Sequence, residues 1–225
     1  MHITFLFYEG MTALDAIGPY EVLSRLPDTS VHSVSLKPGA IHTSSGLVLH
    51  AKNGLSDISQ TDILVVPGSG YATSLNQFPE VLEWIQTINE TTSWTTSVCT
   101  GSLILGAAKL LLGVRATTHW AVMDRLSQWG AIPTEKRVVE SGKIITAAGV
   151  SAGIDMALML AEKVAGKDVA ETLQLGIEYD PKPPFDAGSI KKARPIIVTA
   201  LREKLMKKFE KGPLLTNNKP SSQSS

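Results

Sequence analysis

Short apolar, β-branched runs alternate with longer helical patterns along most of this 225-residue chain, and no other feature constrains its fold as strongly. The run "DILVVP" at 62–67 is apolar at successive positions, which is typical of a strand covered on both faces in a parallel sheet. The runs predicted as strands are 3–8, 31–36, 62–67, 94–98 and 143–148, and those predicted as helices are 18–26, 78–90, 102–112, 119–130 and 151–166. Parallel strands joined by helices require right-handed crossovers. The pattern therefore predicts a doubly wound, mostly parallel α/β sandwich.

Two further segments are predicted to add β-hairpins to this sheet. The segments 44–55 and 136–148 each hold apolar or β-branched residues on both sides of a turn signal, and the second turns at "SGK". Pro19 and Pro79 are expected in the first turns of their helices, where proline is tolerated because its missing N–H has no partner to lose.

The chain is predicted to form one domain over 1–211, followed by a disordered tail over 212–225 that is rich in Ser, Asn and Pro. The segment 189–211 predicts an amphipathic helix whose basic face is solvated rather than bound to nucleic acid or membrane. The start, "MHITFLFYEG", has no basic leader and no cleavage site. It is therefore expected to be the first strand and not a signal peptide.

Charge and cysteine content exclude several classes of protein. The chain has 21 Lys and Arg against 21 Asp and Glu, so no positive surplus is available to bind a nucleic-acid backbone. Its single cysteine excludes an internal disulfide and a thiolate metal cluster. No phosphate-binding or dinucleotide-binding motif is present, so neither a metal nor an organic cofactor is expected. No run is both long and apolar enough to span a membrane. A reduced thiol favours a cytoplasmic location.

That single cysteine, Cys99 in "TTSVCTGSLILGAA", is predicted to lie on the turn between a strand and a buried helix. Ser97 and Gly101 flank it at the positions where a nucleophile elbow requires small residues. Unpaired N–H groups and the dipole at the helix start would lower the pKa of the thiol and make the sulfur nucleophilic. Free cysteines are also commonly buried as small hydrophobic residues. The residues alone leave both interpretations open.

Three other strand ends are candidates to share a site with Cys99, because parallel α/β sheets place their sites at carboxyl strand ends. Asp15 follows the first strand, although a helix N-cap is the ordinary role of such an aspartate. "PGSGYAT" after the 62–67 strand is a glycine-rich turn whose amides could meet an anion. "GVSAGID" after the 143–148 strand places Gly149 and Val150 in another small-residue turn, and with His119 they are candidates to contact the substrate. The aromatic residues that could line an apolar cavity, or belong to the ordinary core, are Tyr8, Tyr71, Trp120 and Phe185.

Five segments together resemble the DJ-1/PfpI superfamily, in the branch that contains isonitrile hydratases. They are "DAIGPYEVL", "DILVVPGSG", "VCTGSLILGAAKLL", "RATTHW" and "TAAGVSAGIDMAL", in the family's order. The resemblance implies a flavodoxin-like, class I glutamine amidotransferase-like α/β sandwich. It also implies a homodimer and a cysteine on a strained elbow.

The resemblance also implies roles for individual residues. Cys99 matches the family nucleophile, and Asp15 matches the acidic group that hydrogen-bonds that thiol in the hydratase branch. Thr100 follows the cysteine, as in that branch, whereas the protease-like and glyoxalase-like branches have histidine there. A Cys–His pair would have to recruit His119, which is more simply explained as a helix-start residue, so peptidase, deglycase and glyoxalase chemistry is disfavoured.

The turn after the 62–67 strand matches the family's anion pocket, with amides from Gly68, Ser69 and Gly70. The family often has Gly-Gly here, so Ser69 is a departure that leaves the direction of its amide open.

The activity that the resemblance implies is hydration of an isonitrile to an N-substituted formamide through a Cys99 thioimidate. The terminal carbon accepts the nucleophile and the nitrogen gains a proton as the bond order falls. Asp15 would move that proton, and the amides of Gly70 and Thr100 would stabilise developing charge. Two alternatives remain: a redox or electrophile sensor without turnover, and a ligand-sensing module like those of related transcription regulators.

Overall fold

The computed structural model describes residues 1–70 and 78–211, and its centre is a seven-stranded sheet. The strand order is β10-β11-β7-β6-β1-β2-β5, and all neighbours are parallel except β10 and β11. The strands are β1 (His2–Leu6), β2 (Ser30–Ser35), β5 (Asn53–Gly54), β6 (Ile63–Val66), β7 (Trp94–Val98), β10 (Val138–Ser141) and β11 (Ile144–Ala147). Every residue of β6 and β11 is buried, as expected for strands covered on both faces. The predicted flavodoxin-like sandwich is confirmed.

Helices flank this sheet in two groups. The helices are α1 (Ala13–Leu23), α2 (Pro79–Thr91), α3 (Gly101–Ala107), α4 (Ala152–Ala165), α5 (Lys167–Gly176) and α6 (Pro195–Lys211), with 3₁₀ helices at Leu55–Asp57 and Trp120–Trp129. In one group α4 packs between α1 and α5, and in the other α3 packs against α2 and the longer 3₁₀ helix. None of the described helices is long and apolar enough to cross a membrane.

Two small ribbons complete the described fold. The strands β3 (Gly39–His42) and β4 (Val48–Ala51) form an antiparallel pair, whereas β8 (Arg115–Ala116) and β9 (Ile132–Pro133) pair in parallel. The predicted hairpin over 136–148 is β10–β11. The hairpin predicted over 44–55 is shifted, because its first strand lies earlier, at β3, and only the second falls inside that range.

Several helix boundaries differ from the prediction. Helix α1 begins at Ala13 rather than residue 18, so Pro19 lies inside the helix, whereas Pro79 does occupy the first turn of α2. Helix α3 ends at Ala107 rather than residue 112, because Lys109 takes a left-handed conformation with φ of 62° that breaks the helical pattern.

The last part of the domain also differs. Helix α6 begins at Pro195 rather than residue 189, and α5 over Lys167–Gly176 was not predicted. The interpretation of 212–225 as a disordered tail, and the candidate Tyr71, lie outside the described residues.

The sheet order brings four loops to one edge. Strand β1 lies between β2 and β6, so consecutive crossovers leave in opposite directions on its two sides, which creates the crevice where such folds bind ligands. The loops that leave the carboxyl ends of β6, β7 and β11 carry Gly68, Cys99 and Gly149, and the loop after β1 leads into the first turn of α1, which carries Asp15. The predicted site residues therefore belong to one edge of the sheet.

Candidate active site

Cys99 lies on a strained turn between β7 and α3, with a left-handed φ of 58°. Its N–H donates to the carbonyl of Ala148 at 2.8 Å, and its own carbonyl accepts from Thr118 Oγ1 at 3.0 Å. A Cβ on Gly101 would lie 2.2 Å from the carbonyl oxygen of Val66, which explains the small residue two positions after the cysteine. Neighbouring backbone therefore holds a conformation that a cysteine alone would not favour.

Asp15 lies within α1, fully buried, and its carboxylate is directed at the turn after β6. Its Oδ2 accepts from the amide of Gly68 at 2.9 Å, and the thiol of Cys99 donates to the carboxylate. Its Oδ1 has no hydrogen-bond partner among the described residues. The side chain therefore serves the site and does not cap its own helix.

Thr100 ties the cysteine turn to the turn after β6. Its Oγ1 accepts from the amide of Ser69 and donates to the carbonyl of the same residue, both at 2.7 Å. The hydroxyl of Ser69 donates to the carbonyl of Gly10 at 2.7 Å. A Cβ on Gly68 would lie 2.5 Å from the nitrogen of Thr100, so glycine is required at this approach.

Two of the three amides predicted to form an anion pocket at this turn are engaged within the protein, and the pocket itself, with Gly70, stays a prediction. The amide of Gly68 is engaged with Asp15, and the amide of Ser69 with the hydroxyl of Thr100. These two amides fix the acid and the threonine, which is a positioning role.

The amides directed at the sulfur come from the turn after β11 and from the cysteine turn itself. The N–H groups of Val150 and Thr100 donate to the Cys99 sulfur, and the hydroxyl of Thr100 also lies near it. Val150 was predicted to bind substrate from its place after β11. Its observed contact is with the nucleophile.

The pKa of Cys99 corrects the prediction made for this thiol. Burial raises the pKa of the thiol, and the nearby charge of Asp15 raises it further, whereas the amides of Val150 and Thr100 lower it. The helix start was expected to lower this pKa on its own, but Cys99 is only 5 % exposed and the loss of hydration outweighs the amides.

Burial also raises the pKa of Asp15 to about 7, against the lowering effects of the Gly68 amide and the Cys99 thiol. Near neutral pH the two groups therefore hold one or two protons between them and titrate as a coupled pair. A proton can move from sulfur to carboxylate without leaving the site.

His119 lies beside the site but is not paired with the thiol. Its Nδ1 accepts from the amide of Ala121 at 3.3 Å, and its ring borders Gly149, where an added Cβ would lie 3.1 Å from Cδ2. Partial burial lowers the pKa of the imidazole. Among the described residues it has no hydrogen bond to Cys99, which agrees with the prediction that this histidine is not the base.

Tyr8 is a neighbour of the pair that sequence reasoning placed only among possible cavity walls. Its hydroxyl donates to the carbonyl of Pro67 at 2.8 Å, and burial together with the charges of Asp15 and Cys99 raises its pKa. Its place at the end of β1 was the available signal. Phe185, by contrast, is 78 % exposed.

The described part of the chain holds no group of three or more His, Cys, Asp or Glu residues placed to bind a metal ion. The site consists of a buried thiol, a buried carboxyl and backbone amides. Such an arrangement can deliver a sulfur nucleophile and transfer a proton, which suits addition to a small electrophile.

Comparison with known proteins gives consistent results. The model of the DJ-1/PfpI family matches residues 1–163. The isonitrile hydratase of Pseudomonas putida is 43% identical over 204 residues, which cover 91% of this chain and 90% of that protein.

Solved structures agree. A THiJ/PfpI family protein from Pseudomonas syringae superposes with a TM-score of 0.90 at 37% identity, covering 93% of this chain and 88% of that one. Schizosaccharomyces pombe DJ-1 superposes with a TM-score of 0.71 at 21% identity, covering 80% of this chain and 100% of that one. The second likeness concerns the fold alone.

Proposed function

The chain belongs to the DJ-1/PfpI family, and we propose that it is an isonitrile hydratase that converts R–N≡C to the N-substituted formamide R–NH–CHO through Cys99. The high-coverage similarity to the Pseudomonas putida isonitrile hydratase supports the activity. The observation that carries the mechanism is the hydrogen bond between the buried thiol of Cys99 and the buried carboxyl of Asp15, whose pKa is about 7.

The first step is addition of the thiol to the isonitrile carbon. The thiol proton passes to Asp15 as the sulfur forms a C–S bond with that carbon, and Asp15 then returns the proton to the same carbon. The product is the thioimidate Cys–S–CH=N–R, in which the triple bond has become a double bond. The amides of Val150 and Thr100, which donate to the sulfur, stabilise its negative charge as the proton leaves.

The second step is hydrolysis of the thioimidate. Water adds to the C=N carbon, its proton passes through Asp15 to the nitrogen, and a tetrahedral intermediate forms. The C–S bond then breaks as the hydroxyl becomes the formyl C=O, and the hydroxyl proton returns to the sulfur. Asp15 Oδ1, which lacks a protein partner among the described residues, is the oxygen suited to receive the proton of that water. No step draws on a cofactor.

A redox sensor is less well supported. Sensor cysteines are accessible and have a low pKa, because the thiolate is the form that peroxide oxidises. Cys99 is 5 % exposed, and burial raises its pKa.

We further propose that the protein acts as a homodimer in the cytoplasm. Apolar side chains ahead of α6 and in its first turn support a partner subunit, since Phe185 is 78 % and Ile196 is 73 % exposed. The single, unpaired cysteine is compatible with a reducing compartment.

The direct test is incubation of the purified protein with an alkyl isonitrile such as cyclohexyl isonitrile, with the formyl proton of the product followed by NMR. We expect catalytic formamide formation by the wild type. Cys99→Ser should abolish it while circular dichroism and thermal unfolding stay close to wild type, because the hydroxyl fits the same turn.

Turnover by a folded Cys99→Ser protein would end the covalent mechanism. Absence of turnover in the wild type, with the isonitrile stable in the mixture, would remove the activity itself.

A further inference from the structure

Tyr8 and Asp15 contact the two ends of one peptide unit. The hydroxyl of Tyr8 donates to the carbonyl oxygen of Pro67 at 2.8 Å. The nitrogen of that same peptide unit belongs to Gly68, and its N–H donates to Asp15 Oδ2 at 2.9 Å. Tyr8 is 6 % exposed and Asp15 is fully buried, so water does not compete for either bond.

The geometry points to Tyr8 as a positioning residue of the site, which acts on Asp15 through the peptide between Pro67 and Gly68. A donor on a carbonyl oxygen draws electron density from the amide nitrogen, so the N–H at the other end becomes a stronger donor. Hydrogen bonds in such chains strengthen one another by roughly 10–30 % per bond. The bond from Gly68 to the carboxylate is therefore stronger with Tyr8 in place.

The next peptide unit, between Gly68 and Ser69, is tied to the start of α1. The carbonyl of Gly68 accepts from the amide of Thr12 at 2.8 Å, at the start of the helix that carries Asp15. Without Tyr8, the Pro67 carbonyl would lose a bond in a buried setting, and the peptide could tilt away from Asp15.

The effect on Asp15 has a definite sign. The bond from Gly68 stabilises the ionised carboxylate and lowers its pKa, while burial raises it. The titratable groups that face Asp15 from the packed elements are Cys99 at the start of α3 and Tyr8 at the end of β1. Tyr8 stays neutral near pH 7, because burial raises the pKa of its phenol. Its influence is therefore through the hydrogen bond and not through charge.

The experiment follows Cys99 alkylation by iodoacetamide against pH by intact mass, with isonitrile turnover measured in parallel. This inference rests on the proposed role of Asp15 as proton acceptor, but alkylation does not require hydratase activity. Since the chain has one cysteine, every thiol adduct reports on this site. The alkylation rate of the wild type should fall as the pH is lowered, with a midpoint near the Asp15 pKa of about 7.

Tyr8→Phe should move that midpoint to higher pH by on the order of half a unit, as expected for a weakened charge-assisted hydrogen bond. Tyr20→Phe is the matched control, because Tyr20 lies on α1, as Asp15 does, but its ring packs on Phe5 and the residue is 41 % exposed. That variant should keep the wild-type midpoint.

A fluorinated tyrosine installed at position 8 is a stronger donor and should move the midpoint to lower pH, which keeps the test informative if Tyr8→Phe folds poorly. A purely structural role would lower the melting temperature of Tyr8→Phe but leave the alkylation midpoints of the Phe and fluorotyrosine variants at the wild-type value. That result would overturn the inference. Shifted alkylation midpoints in a protein that does not hydrate isonitriles would support the role of Tyr8 and refute only the proposed activity.

Discussion

At the scale of single residues, the site keeps its proton between two groups that both resist ionisation. Burial raises the pKa of the Cys99 thiol and of the Asp15 carboxyl, so the pair does not carry two negative charges near neutral pH. The amides that contact the sulfur then act during attack, when negative charge forms on it. A strongly ionised resting thiol is not required.

The ionised form of Asp15 should destabilise the folded protein. Its pKa is about 7 in the folded protein against 3.8 as an ordinary aspartate, so the folded state holds the proton more tightly. The stability that it contributes as a neutral acid is complete below pH 4 or so and is lost as pH rises through about 7.

Asp15→Asn cannot ionise and keeps an acceptor for the Gly68 amide. Calorimetry should show that the melting temperature of the variant minus that of the wild type increases from pH 4 to pH 7.5. The hydration rate of the variant should fall by about 10²-fold or more. A constant difference in melting temperature across this range would contradict the assigned pKa, and near-normal turnover would remove Asp15 from the proton path.

Thr100 offers a second residue-scale prediction. Thr100→Val keeps the volume but removes the hydroxyl that bonds both backbone groups of Ser69, whereas Thr100→Ser keeps that hydroxyl. We expect kcat of the valine variant to fall on the order of 10²-fold, since small displacements at a reacting centre have that effect, and the serine variant to retain most activity. Equal rates for the two variants would show that the hydroxyl is not needed.

The sequence could predict which residues meet at the site but not where their hydrogen bonds go. Cys99 and Asp15 were expected together from the strand ends and the family pattern, and they do lie in hydrogen-bond contact. The engagement of the Gly68 and Ser69 amides depends on the tilt of individual peptides. Neither that tilt nor the extent of burial that sets a pKa is encoded in residue spacing.

At the scale of elements, the crossing of β6 with the start of α3 fixes the elbow. An added Cβ on Gly101 would lie 2.2 Å from the Val66 carbonyl, and the contact is with backbone that cannot rotate away. Gly176, at the end of α5, has nothing within 4 Å of the corresponding position.

Gly101→Ala should therefore lower the melting temperature sharply and abolish activity, while Gly176→Ala should be neutral or slightly stabilising through helix propensity, by ~0.5–1 kcal/mol. Thermal unfolding of the two variants side by side tests this. A stable, active Gly101→Ala protein would show that β6 and the start of α3 lie farther apart than in this structure.

Element boundaries were predictable where burial and length agreed. Strand β7 matches its predicted range at both ends, because "WTTSV" lies between a polar helix end and the cysteine turn. Helix α1 was predicted too short, since Pro19 resembles a helix start although it lies in the interior of the helix. Helix α5 was missed because it follows α4 after the single residue Gly166, and no composition change marks the break.

At the scale of the whole molecule, the exposed apolar side chains ahead of and within the start of α6 bear on assembly. Phe185 and Ile196 are mostly exposed in the protomer, as expected if a partner subunit covers them. Light scattering coupled to size exclusion should therefore give twice the protomer mass of 24.1 kDa. A mass of one protomer at micromolar concentration would refute the dimer and leave the hydration chemistry, which uses one chain, untouched.

The central claim is that the sulfur of Cys99 bonds covalently to the isonitrile carbon during turnover. Rapid mixing with excess isonitrile, acid quenching within milliseconds and intact-mass analysis test it directly. The account predicts a transient species heavier than the free protein by the full mass of the isonitrile, located at Cys99, that forms and decays as formamide appears. Steady formamide production with only unmodified protein at every quench time, and no burst, would contradict it.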